Sequence, residues 1–432
     1  MTLDRYAEVL YTLKSIISLT KFENHCFAVG GCCRDFLLNR EIKDIDLVLD
    51  IPNGGIEFAR WLYDNDYLTR EPVVYEHFGT AMFHLKEIPD IELEAVQTRK
   101  ECYRDIDTRN PETAFGTIND DCTRRDFTYN AIYYNISKCE FNDFNGSSIS
   151  DLNDNVLRTC GDPDVIFTED PLRILRAIRF TCRFGSTIED KTFEGMKKYA
   201  NRLEIISKER IQDEFSKMMT SKNPELAIQL IFETGAYEHV FGKLWFESDA
   251  KYLPQAIPAA FERLKELKDA EHNNLEINLA IVYAFLPEVN ERMKFLKFSN
   301  DVIEKVHFYL DIFDEIHYTG LLPSAIRRIQ YFAKSYDNLF NACTIFFAVM
   351  GKSYDTHQRE RVEKIISMTK EMIDNGQSMF GYKLPVDGND VMEILNIPPS
   401  EKVKRNLDFL MEAAYVNPFI TKKECETILK CN

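Results

Sequence analysis

The sequence predicts an α+β protein, with strands gathered in the first 150 residues and helices in the rest. Three observations carry that prediction. Short apolar or alternating segments bounded by Gly, Pro and Asn crowd the first 150 residues. A turn-rich cluster, NDFNGSSISD (142–151), closes that region. Beyond residue 165, apolar residues recur at helical spacing almost throughout.

MTLDRYAEVLYTLKSIIS (1–18), with its early acids and no long apolar core, reads as an amphipathic helix rather than a signal or transit peptide. CFAVGG (26–31) is a short apolar run ending in a Gly pair, with one or two helical turns predicted over 35–40. DIDLVLD (44–50) alternates acidic and apolar residues, the period of a strand. A helix is expected over 53–66, then strands at TAMFHL (80–85) and IELEAVQ (91–97). RKECYRDIDTRNPET (99–113) is rich in Arg and Asp and reads as an exposed loop. EDPLRILRAIRFTCRF (169–184) has acids first and then Pro171, a helix-start signal. Further helices are predicted over 208–220, 224–235, 257–269, 275–285, 301–316, 324–335, 338–350, 357–374, 389–395 and 402–415. The glycines and proline of 374–388 predict a break before a small C-terminal helical unit.

Bulk properties limit the function classes. A chain of 432 residues implies two to four compact units. Its 45% hydrophobic and 28% charged residues fit a globular protein. No run of eighteen apolar residues exists, so no membrane span is expected, and a cytoplasmic location is. The eleven cysteines are scattered without a CxxC pair, which disfavours a disulfide framework or zinc site. They read mostly as packing residues. A net charge of −17 argues against a uniformly basic surface, yet phosphate contacts depend on local patches.

Three motifs point to chemistry. In a strand, residues i and i+2 share a face, so Asp44 and Asp46 project together while Ile45, Leu47 and Leu49 face a core. Two adjacent carboxylates repel, and hard oxygen ligands suit Mg²⁺. Two such ions about 3.5–4 Å apart can activate an attacking hydroxyl and stabilise a leaving phosphate. Gly30 and Gly31, just upstream, allow close approach of the backbone to a triphosphate, and Arg34 adds charge. The second motif is RRDFTYNAIYY (124–134): Arg124 and Arg125 suit phosphates, and Asp126 suits a ribose 2′-OH. The third is EDPLRILRAIRF (169–180), where Asp170, Arg173, Arg176 and Arg179 recur every three residues beside Leu172, Leu175 and Ile178. Each of these motifs alone also fits a solvated charged face.

Asp170 and Arg173 together have a specific consequence. A carboxylate only accepts hydrogen bonds and a guanidinium only donates. Cytosine and adenine present an amine donor beside a ring-nitrogen acceptor; uracil and guanine present the reverse. A fixed acceptor–donor pair admits C and A and leaves buried groups unpaired against U and G.

Taken together, GGCCRD…DIDL (30–47), RRDFTYNA (124–131) and EDPLRILRAIRF (169–180) resemble the class II tRNA nucleotidyltransferases, which include CCA-adding enzymes and bacterial poly(A) polymerases. Smaller matches are HFGTA (77–81), ELEAVQTRKECY (92–103), DLNDNVLRTCGDP (151–163) and ISKERIQDEF (206–215). The resemblance covers about the first half of the chain, in order. It implies a polymerase-beta-like nucleotidyltransferase head (1–150), then a helical neck (151–220), body (221–375) and tail (376–432). It implies that Asp44 and Asp46 hold two Mg²⁺ ions, with Glu94 as a third carboxylate. Gly30, Gly31 and Arg34 would meet the triphosphate, and Arg124, Arg125, Asp126 and Asn130 the sugar and phosphates. Glu169, Asp170 and Arg173 would template the incoming base, with Arg176 and Arg179 as further nucleotide contacts.

The implied reaction adds CCA to the tRNA 3′ end from CTP and ATP without a nucleic-acid template. The segment from Arg99 to Glu112 matches a flexible loop tied to the switch from C to A. The tRNA acceptor arm would be gripped by basic stretches such as KKYANR (197–202), RERVEK (359–364) and EKVKR (401–405), each equally readable as a solvated helix face. Two departures stand out: Cys32-Cys33 after the Gly pair, and DFNG (143–146) in place of D-P-x-x-G. No His is followed directly by Asp, so an appended phosphohydrolase domain is not expected. A poly(A) polymerase, an A-adding enzyme with a CC-adding partner, and a non-catalytic RNA-binding protein remain open alternatives.

Overall fold

The computed structural model describes residues 1–76, 79–102, 112–243, 249–265, 274–318, 320–350 and 355–431. The chain divides into two compact units, one of residues 1–215 with 230–240 and one of 216–229 with 241–432.

Strands of the first unit are β1 (Cys26–Val29), β2 (Ile45–Leu49), β3 (Val73–Tyr75), β4 (Thr80–Leu85), β5 (Ile88–Gln97), β6 (Arg99–Cys102), β7 (Glu112–Phe115), β8 (Tyr133–Asn135) and β9 (Glu140–Asn142). Seven of them form one mixed sheet in the order β3-β4-β5-β2-β1-β8-β9. Only β2 and β5 pair in parallel in that sheet. The helices that position the site are α1 (Leu3–Ile17), α2 (Gly31–Leu37), α3 (Gly54–Asp64), α4 (Ile118–Thr123), α5 (Ser148–Asn153), α6 (Pro163–Glu169), α7 (Leu172–Phe184), α8 (Asp190–Tyr199) and α9 (Lys208–Met219).

β2 is central, so both its faces are covered at its end: Leu47, Val48 and Leu49 are all fully buried. Val48, on the Asp46 face, joins a cluster with Phe27, Val29, Cys122, Ala131 and Tyr133. On α3, a Cβ at Gly55 would lie 2.4 Å from the Ala95 carbonyl oxygen, so only glycine lets this helix approach β5 so closely.

Several predicted elements shift for identifiable reasons. The first strand stops at Val29, because Gly30 (φ 80°) turns the chain into α2. The Arg- and Asp-rich segment is not all loop: β6 and β7 pair antiparallel, Arg99 opposite Phe115. Residues 103–111 of that expected flexible loop lie outside the described residues. In the 169–184 stretch the helix start holds, with Pro171 capping α7, but Glu169 is the last residue of α6 and Asp170 (φ −136°, ψ 96°) is extended between the two helices. Asp170 is thus not on the face that carries the arginines. α8 was not among the predicted helices.

In the second unit the helices largely follow the apolar periodicity. Helix Asp249–Lys265 begins earlier than 257 because it accommodates Pro254 and Pro258. Burial of Leu253, Ile257, Ala260, Phe261 and Leu264 compensates for the lost backbone bonds. One apolar cluster gathers Ile312, Ile329, Phe346 and Ile365, and a second, beyond Gly376, gathers Met379, Val391, Leu410 and Leu429. No described helix is long and apolar enough to cross a membrane. The ten cysteines whose side chains are described are free thiols, seven of them buried.

Candidate active site

The site starts at the centre of the sheet. Val29 lies opposite Asp46 across β1–β2, and Asp46 lies beside Glu94 across β2–β5. Residues paired across strands share a face, so Asp46 and Glu94 project together. Asp44 precedes β2 by one residue and is exposed. Burial pushes the Asp46 carboxyl up; Arg125 partly offsets this and Asp44 adds to it. Glu94 is raised by burial and then by Asp46 and Asp44. Three carboxylates therefore feel one another, with Asp46 the most enclosed.

Gly30 borders Asp46. Its backbone N–H donates to the Ile132 carbonyl (3.2 Å). A Cβ there would sit 3.6 Å from Arg125 Nη1 and 3.8 Å from Asp46 Oδ2, which are ordinary contacts. Its φ of 80°, not crowding, is what demands glycine.

Arg124 and Arg125 stand immediately after the short helix α4. Asp121, within that helix, is fully buried and takes both of them. Its Oδ1 accepts from Arg124 Nε (3.0 Å), and its Oδ2 accepts from Arg125 Nε (3.1 Å), Arg125 Nη2 (3.0 Å) and the Tyr133 hydroxyl (2.8 Å). Burial alone would raise this carboxyl, but Arg125 and Arg124 outweigh it and hold it at about 2. Sequence reading missed Asp121. The signal was present, since it stands three and four residues before the arginines, the spacing at which helical side chains meet.

Asp126 is also ionised in the interior. Its Oδ1 accepts from the Phe127 backbone N–H (2.8 Å) and Asn130 Nδ2 (3.0 Å). Its Oδ2 accepts from Arg176 Nε (2.8 Å) and Arg176 Nη2. Burial would raise it, but Arg176 and these bonds hold it at about 2. Its four acceptor sites are thus filled, and a ribose hydroxyl would have to displace one of these donors. Asn130 continues the network by accepting from Arg34 Nη1 (2.6 Å).

Arg34 itself is buried and forked onto Asp35 (Nε 2.9 Å, Nη2 2.8 Å). Arg183 reaches the same Asp35 carboxylate (3.3 Å). Arg34 does not line the cleft; it braces Asn130 from behind.

The third motif supplies the far wall. Arg173 is tied to three acceptors: the Ile166 carbonyl (3.3 Å), Glu169 (3.3 Å) and the Arg124 carbonyl (2.9 Å). Asp170 does not pair with it. Asp170 Oδ1 accepts from the Leu172 N–H (3.1 Å), and Oδ2 from Arg210 Nη2 (3.4 Å) on α9. Arg179 pairs with buried Glu214 (3.0 Å), and burial lowers its pKa.

These pieces enclose one cleft of about 720 Å³. Gly30, Gly31, Asp44, Asp46, Arg124, Arg125, Asp126, Asn130, Asp170, Arg173, Arg176 and Arg179 line it, joined by Arg99, Leu172, Phe180 and Arg210. Arg34, Glu94 and Glu169 do not. Arg210 falls in a stretch whose similarity was noted, yet no role had been read from it. In the three basic stretches expected to grip tRNA, several cations are ion-paired within the protein: Lys197 with Glu194, Lys198 with Asp164, Arg359 with Glu363 and Arg405 with Glu401.

The donor set fits a divalent ion of a particular kind. Among the described residues, no three His, Cys, Asp or Glu side chains converge to hold a metal by themselves. Asp44 and Asp46 offer hard oxygens under mutual repulsion. One or two carboxylates completed by substrate phosphates is how Mg²⁺ is bound at nucleotide sites.

Residues 26–158 match the family described as the poly A polymerase head domain, and residues 185–246 match the probable RNA and SrmB-binding site of polymerase A. A tRNA nucleotidyltransferase of Schizosaccharomyces pombe is 27% identical over 456 residues, 93% of this chain and 91% of the relative. Poly(A) polymerase I of Escherichia coli O6:H1 is 30% identical over 280 residues, 63% of this chain and 58% of the relative. The solved structure of the Bacillus stearothermophilus CCA-adding enzyme in complex with CTP shares the fold. Its TM-score is 0.72 at 19% identity, over 100% of this chain and 97% of that one.

Proposed function

We propose that this chain, whose residues 26–158 and 185–246 match the poly A polymerase head and RNA-binding models, is a class II nucleotidyltransferase, of the family of CCA-adding enzymes and poly(A) polymerases, and that it completes the tRNA 3′ end with C, C and A. The nucleotides come from CTP and ATP. The terminal 3′-OH oxygen bonds to the α-phosphorus, the bond to the β-phosphate bridging oxygen breaks, and pyrophosphate leaves.

The observation that carries this reading is the single cleft that joins Asp44 and Asp46 to Asp170 and Arg173 across a wall of arginines. Asp44 and Asp46 would hold Mg²⁺, which supplies activation of the attacking hydroxyl and neutralisation of phosphate charge. Arg124, Arg125, Arg176 and Arg179 orient the triphosphate and offset its charge, so that positioning and electrostatics supply most of the rate. Gly30 and Gly31 let the phosphates approach the backbone. Asp126 acts through Arg176, and Arg34 through Asn130. Asp170 accepts from, and Arg173 donates to, the edge that cytosine and adenine share. Glu94 lies beside Asp46 on the same sheet face and adds a third carboxylate to the site. We place the enzyme in the cytoplasm, a reading that its free thiols support.

The test uses tRNA ending at the discriminator base, Mg²⁺ and each nucleotide alone or mixed. Three added residues reading CCA are expected. A long A tail instead selects a poly(A) polymerase, which the Escherichia coli relative keeps in view. A lone A on tRNA already ending in CC selects an A-adding enzyme. No product on any substrate overturns the reading.

A further inference from the structure

We propose that Arg210 is a positioning residue for base selection, holding Asp170 in the orientation that accepts the amine of cytosine or adenine. This inference rests on the proposed reading of Asp170 and Arg173 as the base-selecting pair. The two halves of that pair are supported unequally. Arg173 is buried and fixed by three acceptors, two backbone carbonyls and Glu169. Asp170 lies in extended backbone between two helices; its N–H donates to the Ile166 carbonyl (3.4 Å) and its carbonyl accepts from the Arg173 N–H (3.0 Å), so the backbone is anchored while the carboxylate depends on its own partners.

One Asp170 oxygen is taken by the Leu172 N–H, which fixes the near end of the carboxylate. The other accepts from Arg210 (3.4 Å), and Asp170 itself lines the cleft. Arg210 lines the same cleft. Its guanidinium comes from α9, distant in sequence, and approaches from outside the motif.

A carboxylate oxygen has room for two donors. Arg210 at Oδ2 therefore leaves one lone pair of that oxygen for a base amine and fixes where it points. The contact is long and half-exposed, so it directs the group rather than burying it. Without Arg210, Asp170 can rotate about its side-chain bonds. A wandering carboxylate accepts from cytosine less reliably. It also no longer confronts the uracil carbonyl with a fixed like-charged acceptor. Selectivity should suffer more than turnover.

The experiment measures kcat/KM for CTP and UTP on tRNA lacking CCA, and for ATP and GTP on tRNA ending in CC. Wild type is compared with Arg210→Ala, Arg210→Lys, Asp170→Ala and the double alanine variant. Arg210→Ala is expected to lower the CTP/UTP and ATP/GTP ratios about tenfold, with a smaller loss in kcat for the correct nucleotide. Arg210→Lys keeps the charge and should restore part of the ratio. The double variant should discriminate no worse than Asp170→Ala, because both changes act on one contact. Equal thermal unfolding of wild type and Arg210→Ala removes misfolding as a cause, and Arg210 is exposed enough for this. Wild-type ratios in Arg210→Ala, with lost discrimination in Asp170→Ala, overturn the inference while leaving the base-reading pair intact. Unchanged ratios in both variants overturn the pair and the inference together.

Discussion

Two carboxylates beside the cleft, Asp121 and Asp126, are buried yet ionised, and two others, Asp46 and Glu94, are harder to ionise than usual. The difference lies in the partners. Burial raises all four, but bonded arginines outweigh it at Asp121 and Asp126, whereas at Asp46 nearby Arg125 only partly offsets it and at Glu94 neighbouring acids add to it. Asp121→Asn leaves two nearby arginines without their shared counter-charge, a loss of about 3 kcal/mol in unfolding free energy. Urea denaturation of the variant measures it; unchanged stability would refute the role given to Asp121. Both carboxyls titrate at about 2 in the fold, below about 3.9 in the unfolded chain. Their stabilisation, about 2 kcal/mol each, is complete above roughly pH 4 and is lost as pH falls toward 2. Acid unfolding followed by circular dichroism should therefore steepen in that window, and less so in Asp121→Asn. Asp44→Ala should abolish nucleotide addition while tRNA binding stays near wild type in a filter-binding assay. Retained addition would remove Asp44 from the metal site.

At the scale of elements, the sheet register does much of the positioning. β2 and β5 run parallel, so Asp46 and Glu94 come side by side although forty-eight positions separate them in the chain. The short α4 presents Asp121 to Arg124 and Arg125, and α7 carries Arg173, Arg176 and Arg179 along one side of the cleft. α3 must lie close against β5 for this sheet to stay flat-packed, and Gly55 permits it. Gly55→Val should cost about 2–3 kcal/mol through overpacking. Thermal unfolding would show it, and a neutral result would mean that the helix can shift without penalty. The period-2 and helical patterns made most of these elements legible in the sequence. The split at Asp170 was not, because an acid before Pro fits a helix start as well as a break between two helices. The start of helix Asp249–Lys265 was placed late, at 257, since packing that compensates for Pro254 leaves no local mark.

At the scale of the molecule, the candidate active site lies wholly in the first of two compact units, each with its own apolar core. CTP with Mg²⁺ is expected to protect backbone amides of residues 1–215 from hydrogen exchange far more than those of 300–416. Equal protection of both regions would contradict a site confined to the first unit. With a net charge of −17, the proposed RNA binding would have to rely on local basic patches against general repulsion. Binding to tRNA should weaken steeply with salt even so, because it is phosphate contacts that release counterions.

The sequence by itself determined the chemistry. Residue types at short spacing decide which groups can share a strand face or a helix face. Asp44 with Asp46, the Gly pair, Arg124-Arg125-Asp126 and the Asp170 segment could all be read that way. Tertiary structure decided which of those groups reach the cleft and which stand behind it. Arg34 turned inward to Asp35 and Asn130, Asp126 filled its acceptors with Arg176, Asn130 and the Phe127 N–H, and Asp170 met Arg210 instead of Arg173. Each outcome depends on partners 40 or more residues away or on competition for a buried charge, except the Arg34–Asp35 fork between neighbours. Buried charge must find its partner wherever the fold brings one, and a linear pattern does not encode that choice.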